Sequence, residues 1–175
     1  SATFGWSSSN TSVATVDAQG NVTAVAPGST TITAAADGRQ ATATLAVVRT
    51  WKMVSAGQDA ICGITLDDRA WCWGQNSSGQ LGNGSMTDAT APSLVTGGAL
   101  WLGVHVGKHS ACGTTTDGRA LCWGSYNKQS FTGVARSPAA MNQAPALASI
   151  RTGVDGGCGL GGAGGGWCWG RDTDG

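Results

Sequence analysis

Charge is scarce in this chain. Only 11 % of its 175 residues are Asp, Glu, Lys or Arg, and the ten basic side chains balance the ten acidic ones. A nucleic-acid binder normally carries a basic patch or stripe. Here the Lys and Arg residues are scattered from Arg39 to Arg171 without a cluster, so no nucleic-acid partner is expected. Long apolar runs are missing too. No stretch approaches the ~20 residues of a membrane helix, and no membrane insertion is expected. No segment shows helical periodicity. Histidine is limited to His105 and His109, and the six cysteines never form a C-x-x-C pair, so a zinc site has no ligand set. No signal peptide stands at Ser1.

Glycine is abundant at 29 residues, and Ser, Thr, Ala and Val fill much of the remainder. That composition favours an all-β chain with many turns. The chain also repeats. Trp51, Gly57, Cys62, Arg69, Cys72, Trp73 and Gly74 recur 50 residues later as Trp101, Gly107, Cys112, Arg119, Cys122, Trp123 and Gly124. A further shift of 46 residues gives Gly153, Cys158, Cys168, Trp169 and Gly170. A strand-rich period of roughly 40 to 50 residues fits a propeller blade better than a helical solenoid.

Within each copy the two cysteines lie ten apart, with their midpoints at Asp67, Asp117 and Ala163. A pair symmetric about one residue implies an odd hairpin loop. A three-residue loop such as Thr116-Asp117-Gly118 is a type I turn closed by a left-handed residue, a place that favours glycine. Gly118 and Gly164 hold it in two copies, and Asp68 in the first. The cysteines then face each other across an antiparallel pair, within reach of a disulfide. The expected bridges are Cys62–Cys72, Cys112–Cys122 and Cys158–Cys168, formed in an oxidising compartment. Metal binding or free thiols are the alternatives. Trp71-Cys72-Trp73, Leu121-Cys122-Trp123 and Trp167-Cys168-Trp169 are apolar on both strand faces, as in blades sandwiched between other blades. The tryptophans are therefore assigned to the core.

Val54-Ser55-Ala56-Gly57 opens the first copy, and Trp73-Gly74-Gln75-Asn76-Ser77-Ser78-Gly79-Gln80-Leu81-Gly82 closes it. On these motifs residues 51–175 resemble regulator of chromosome condensation repeats in their bacterial secreted form. The position of the family histidine holds Ala60, Ser110 and Gly156 instead, with His109 one place early. The second copy continues as Ser125-Tyr126-Asn127-Lys128-Gln129 and lacks Gly-Gln-Leu-Gly. The third copy has a glycine-rich loop and should be looser. Between the hairpins, Pro138 and Pro145 are expected to break the chain.

Residues 1–48 differ in kind. They hold no cysteine and one tryptophan, Trp6. Val13–Asp17 meets Asn21–Val25 across Ala18-Gln19-Gly20, Pro27-Gly28 is a turn, and Asp37-Gly38 joins two longer strands. Thr42 and Thr44 alternate with Ala41, Ala43 and Leu45, which predicts one wet and one buried face. The runs Trp6–Asn10, Val13–Asp17, Gly20–Ala24 and Pro27–Thr33 resemble the bacterial immunoglobulin-like domain of group 2, without its first two strands. Arg49-Thr50 forms the whole linker, short enough to predict a fairly fixed joint.

The expected fold is therefore all-β: a truncated Ig-like β-sandwich followed by a partial β-propeller of about two and a half blades. A ring needs about four to eight blades, so both ends are expected to continue in a larger protein. No catalytic constellation is visible. Asp67-Asp68 belongs to a turn, and Asp172-Thr173-Asp174-Gly175 lacks the rest of a calcium loop. No cofactor or metal is expected. The resemblance implies a non-enzymatic binding module, secreted or on a bacterial surface, its propeller carried by the Ig-like stalk toward a protein or glycan. The ligand-binding residues are unknown from the sequence. The resemblance also admits a protein inhibitor of a secreted enzyme such as a β-lactamase, or an accessory region of a larger secreted enzyme. Tyr126 and Phe131 are loop candidates only for the aromatic patch that such an inhibitor would need, together with the complete ring. A nucleotide-exchange role would need a reducing cytoplasm, which the paired cysteines oppose. Sequons at Asn10, Asn21, Asn76 and Asn83 would matter only in a host that glycosylates them.

Overall fold

Turn chemistry sets the strand boundaries. A computed structural model of the chain describes residues 4–125, 134–141, 146–154, 156–162 and 164–170. It divides into two units, Ser1–Thr50 and Trp51–Gly175, and the described residues contain strands and no helix.

The first unit holds β1 (Gly5–Ser8), β2 (Ala14–Val16), β3 (Val22–Ala24), β4 (Gly28–Ala36) and β5 (Arg39–Val47). β2 and β3 pair as a ribbon, while β1, β4 and β5 form a sheet in that order. The Asp17 carboxylate fixes the β2–β3 loop by accepting the backbone N–H of Gln19 and of Asn21, each at 2.9 Å. Asp37 and Gly38, at φ 51° and 74°, form the two-residue turn between β4 and β5. Successive positive φ values match the right-handed twist of the strands.

Thr30 and Ile32 of β4 are buried. The predicted buried face of β5 is not found. Ala41 and Ala43 are as exposed as Thr42 and Thr44, and only Leu45 and Val47 are half-buried. β5 is an edge strand paired with β4 alone, and alternation buries a face only where something packs against it.

The second unit contains three antiparallel sheets. The first blade is β6 (Trp51–Ala56), β7 (Ala60–Thr65), β8 (Ala70–Gly74) and β9 (Ala89–Leu94). The second is β10 (Trp101–Val106), β11 (Ser110–Thr115), β12 (Ala120–Ser125) and β13 (Val134–Ala140). The third is β14 (Leu147–Thr152), β15 (Gly156–Gly161) and β16 (Gly166–Gly170). The innermost strands carry the blade-to-blade packing: β10 lies against β6 and β7, and β14 against β10 and β11. The sheets are an open part of a propeller. Pro138 does not break the chain; it lies within β13, as Pro92 lies within β9. Both strands pair on one side only, at a register shift, where a missing N–H costs no ladder bond. Pro145 and Ala163 lie outside the described residues.

Candidate functional site

The cysteine hairpins follow from their turns. Thr65, Thr115 and Gly161 each donate their N–H to the carbonyl four residues on, at 3.0, 2.9 and 2.8 Å. Three residues remain in each loop, the last at φ 61° in Asp68 and 83° in Gly118 and Gly164. Thr65 and Arg69 are thus a hydrogen-bonded pair. Counting back along the alternating ladder, Cys62 and Cys72 are a non-hydrogen-bonded pair, the kind with closer side chains. Cys62–Cys72, Cys112–Cys122 and Cys158–Cys168 are directly opposed and bonded, with Cα atoms 4.1, 4.0 and 4.0 Å apart.

The first two disulfides lie on the face that meets the following blade. Cys62 and Cys72 share a buried cluster with Ile64, Leu81, Trp101, Val104 and Trp123. Cys112 and Cys122 share one with Met141, Leu147 and Ile150. Each following blade contributes its innermost strand and the tryptophan of its Cys-Trp-Gly, Trp123 fully buried and Trp169 partly. The third copy has Leu147 where Trp51 and Trp101 stand, a divergence that conceals its first strand in the repeat pattern. Fully burying one such side chain is worth about 1.5–3 kcal/mol, so these seams are the main apolar core of the unit.

Polar contacts fix the first seam. The Trp123 indole N–H donates to the Gln80 carbonyl at 2.9 Å, and a Cβ at Gly82 would strike the same ring. The Trp101 N–H donates to the Asp68 carbonyl at 2.8 Å. Gly57 and Gly107 serve a close approach: a Cβ on Gly57 would meet the Gly107 carbonyl, and one on Gly107 the Gly153 carbonyl. The recurrence of these glycines is visible in the sequence but their role is not, because they meet across blades.

Asn76 organises the loop that reaches the seam. It is fully buried. Its Oδ1 accepts the Leu81 N–H at 3.0 Å, and its Nδ2 donates to the Ser85 and Thr87 carbonyls at 3.1 Å each. Its backbone N–H donates to Asp88 at 2.7 Å. In the sequence Asn76 belongs to the motif that closes the first copy and is also a sequon; its burial rules out a glycan on the folded chain.

Ionisable groups are spread through the frame. Asp67 and Asp68 turn to different cations, with Asp67 3.4 Å from Arg69 and Asp68 2.7 Å from Lys52. The Thr65 hydroxyl, and then Arg69, hold the Asp67 carboxyl below its usual value. Asp117 is lowered in the same way by Thr115 and Arg119. These are satisfied turn carboxylates, unsuited to acid–base work near neutral pH. His105 of β10 sits 2.6 Å from the Arg151 guanidinium of β14. Burial, and then the Arg151 charge, lower its pKa. His109 Nδ1 lies 3.5 Å from the Ser78 hydroxyl. Among the described residues no group of three His, Cys, Asp or Glu side chains is placed to hold a metal. Tyr126 and Phe131 lie outside the described residues.

The bacterial Ig-like domain (group 2) family matches residues 1–47, and the regulator of chromosome condensation (RCC1) repeat family matches residues 52–80 and 67–114. Residues 52–114 are RCC1 repeats, preceded by a group 2 Ig-like domain. No curated protein matches the chain. Among solved structures it is similar to human WBSCR16, with a TM-score of 0.64 and 15 % identity over 82 % of this chain and 45 % of that one. It is also similar to Prp20p from Saccharomyces cerevisiae, at 0.60 and 17 %, over 90 % of this chain and 42 % of that one. At such identities the likeness is one of fold. The chain spans less than half the length of either structure. The RCC1 frame explains the recurrent Cys, Trp and Gly positions as seam and turn residues.

Proposed function

We propose that the chain is a non-enzymatic interaction module, secreted or held at a bacterial cell surface. In this reading the Ig-like domain acts as a stalk, the RCC1 repeats present the binding surface, and the partner is a protein or a glycan. One observation carries it. The recurrent side chains are committed to the frame: cysteines to bridges, Trp101 and Trp123 to a seam, Gly57 and Gly107 to close approach. What differs between copies is most of the stretch between one hairpin and the next blade, residues 83–100 and 125–146. Variable connections on a rigid frame are where recognition residues concentrate. The Prp20p structure is described with its binding to Gsp1p and histones, which supports a protein partner as a class. Three disulfides support an oxidising compartment.

The test combines location and contact. Fractionated source cells should hold the chain outside the cytoplasm with its thiols blocked. Photo-cross-linking there should yield a saturable partner attached through residues 83–100 or 134–141. A cytoplasmic chain with free thiols, or cross-links confined to the Ig-like domain, would overturn the reading.

A further inference from the structure

Asn83-Gly84 is the one Asn-Gly pair in the sequence. Glycine carries no side chain to obstruct its own nitrogen from approaching the neighbouring side-chain amide, and asparagine is thermolabile. The fold places this pair where the first blade touches the second. The Gly84 N–H donates to the Arg136 carbonyl of β13 at 2.9 Å. Beside it the Thr96 hydroxyl lies 2.9 Å from both the Gly82 carbonyl and the Ser137 hydroxyl. Arg136 and Ser137 fall between the paired positions Ala135 and Ala139 of β13, where its register against β12 shifts, so the irregularity turns them to the first blade.

The Asn83 side chain is polarised and held at once. Its Oδ1 accepts the Ser85 hydroxyl at 2.9 Å, the Ser85 N–H at 3.1 Å and the Asn76 Nδ2 at 3.3 Å, while its Nδ2 donates to the Ser93 hydroxyl at 3.0 Å. Donors on the carbonyl oxygen make Cγ a better electrophile, as they do in an oxyanion hole. The same bonds keep the side chain from turning onto Gly84, and Arg136 holds the proton of the attacking nitrogen. Asn83 is half-buried and Gly84 exposed, so water reaches the pair. Asn76 differs: it is fully buried and followed by Ser77.

We propose that Asn83 is a self-modification site gated by the second blade. While Gly84 is bonded to Arg136 the pair is unreactive. Outer strands open locally at less cost than global unfolding. When β13 lifts from the loop, the Gly84 nitrogen gives its proton to water and attacks Asn83 Cγ. An N–Cγ bond forms, the Cγ–Nδ2 bond breaks, and Nδ2 takes up a proton and leaves as ammonia. Water then adds to one carbonyl of the succinimide and opens it to aspartate or isoaspartate. No oxidant or reductant enters. Isoaspartate lengthens the main chain by a methylene, so Gly84 cannot regain both its turn and its bond to Arg136. The modification is a one-way record of seam opening.

Peptide mapping by mass spectrometry, on intact chain held at mildly alkaline pH, follows the conversion at Asn83 with Asn76 as internal reference. The native chain should convert at least on the order of tenfold more slowly than the same chain unfolded in urea with its disulfides intact. In sub-denaturing urea, conversion at Asn83 should rise before the far-ultraviolet circular dichroism transition, while Asn76 stays unmodified. Thr96→Val removes the hydroxyl between Gly82 and Ser137 and leaves Asn83-Gly84 itself unchanged. That variant should convert several-fold faster than wild type in native buffer, and at the wild-type rate in full denaturant. An unfolded chain that does not convert, or equal rates in native and unfolded chains, would overturn the proposal. So would conversion that rises only with the global transition, or a folded Thr96→Val variant no faster than wild type.

Discussion

Trp123 of the second blade is buried and bonded to the Gln80 carbonyl, while Trp73, at the same place in the first blade, remains half-open. The hairpins around them match in register, and both tryptophans pack against the first residue of their innermost strand, tilted in the first blade and edge-to-face in the second. The difference is the neighbour. The second blade lies between two others, and Leu121, Cys122 and Trp123 are all buried. Among the described residues the first blade meets the second on its disulfide side and the third meets the second on its inner-strand side, and in the third Trp167 and Cys168 are exposed. The motif fixes the backbone and the side-chain direction; the adjoining blade fixes the burial.

The largest test of that contrast is the tryptophan itself. Trp123→Ala should cost about 3–5 kcal/mol in urea unfolding. Trp73→Ala should cost clearly less, and equal losses would mean that the seam contributes little beyond the hairpin. Next is the glycine column. Gly107→Ala forces a methyl against the Gly153 carbonyl and should cost about 1–3 kcal/mol. Gly153→Ala meets nothing nearer than 3.6 Å and should stay within about 0.5 kcal/mol. The disulfides sharpen the comparison kinetically. Under mild dithiothreitol, timed alkylation should find Cys158–Cys168 reduced on the order of tenfold faster than Cys112–Cys122, because access limits thiol attack. A single common rate would mean that reduction waits for global unfolding.

The smallest effect concerns His105. Its folded pKa lies below the ordinary 6.5, so the unfolded chain binds its proton more readily. The stability this group contributes is whole above pH 6.5 and is lost as the pH falls through that value toward the lowered one. The residue is half-buried and partly screened, so the slope should be shallow. His105→Gln should flatten it, as followed by denaturant midpoints between neutral and mildly acidic pH.

The parts legible in the sequence are local. Paired cysteines ten apart, with glycine or aspartate at the turn, are enough to place each hairpin and its bridge. Asp37-Gly38 likewise marks its turn by residue type alone. The seam is different, because its partners lie roughly a blade apart in the chain. Gly57 meets Gly107, His105 meets Arg151, and Gln80 meets Trp123, and no local pattern links them. Asn76 is hidden for another reason. The motif marks the position, but its burial is visible only in its several inward hydrogen bonds. On β5 the alternation is present without burial, since a strand's pattern does not specify whether a second layer packs on it.

The enclosed position of Asn76 matters to anyone producing this chain in a eukaryotic secretory pathway. Asn76-Ser77-Ser78 is an acceptor for the oligosaccharyltransferase, which acts on the nascent polypeptide before the loop has closed. A sugar added there is too large for the space the amide occupies, so molecules modified at that point cannot complete the loop against the second blade. Quality control would retain them, and the exported fraction would be enriched in chains bare at Asn76 while the exposed Asn10 carries its glycan. Intact-mass and glycopeptide analysis of retained and exported material would display that sorting directly.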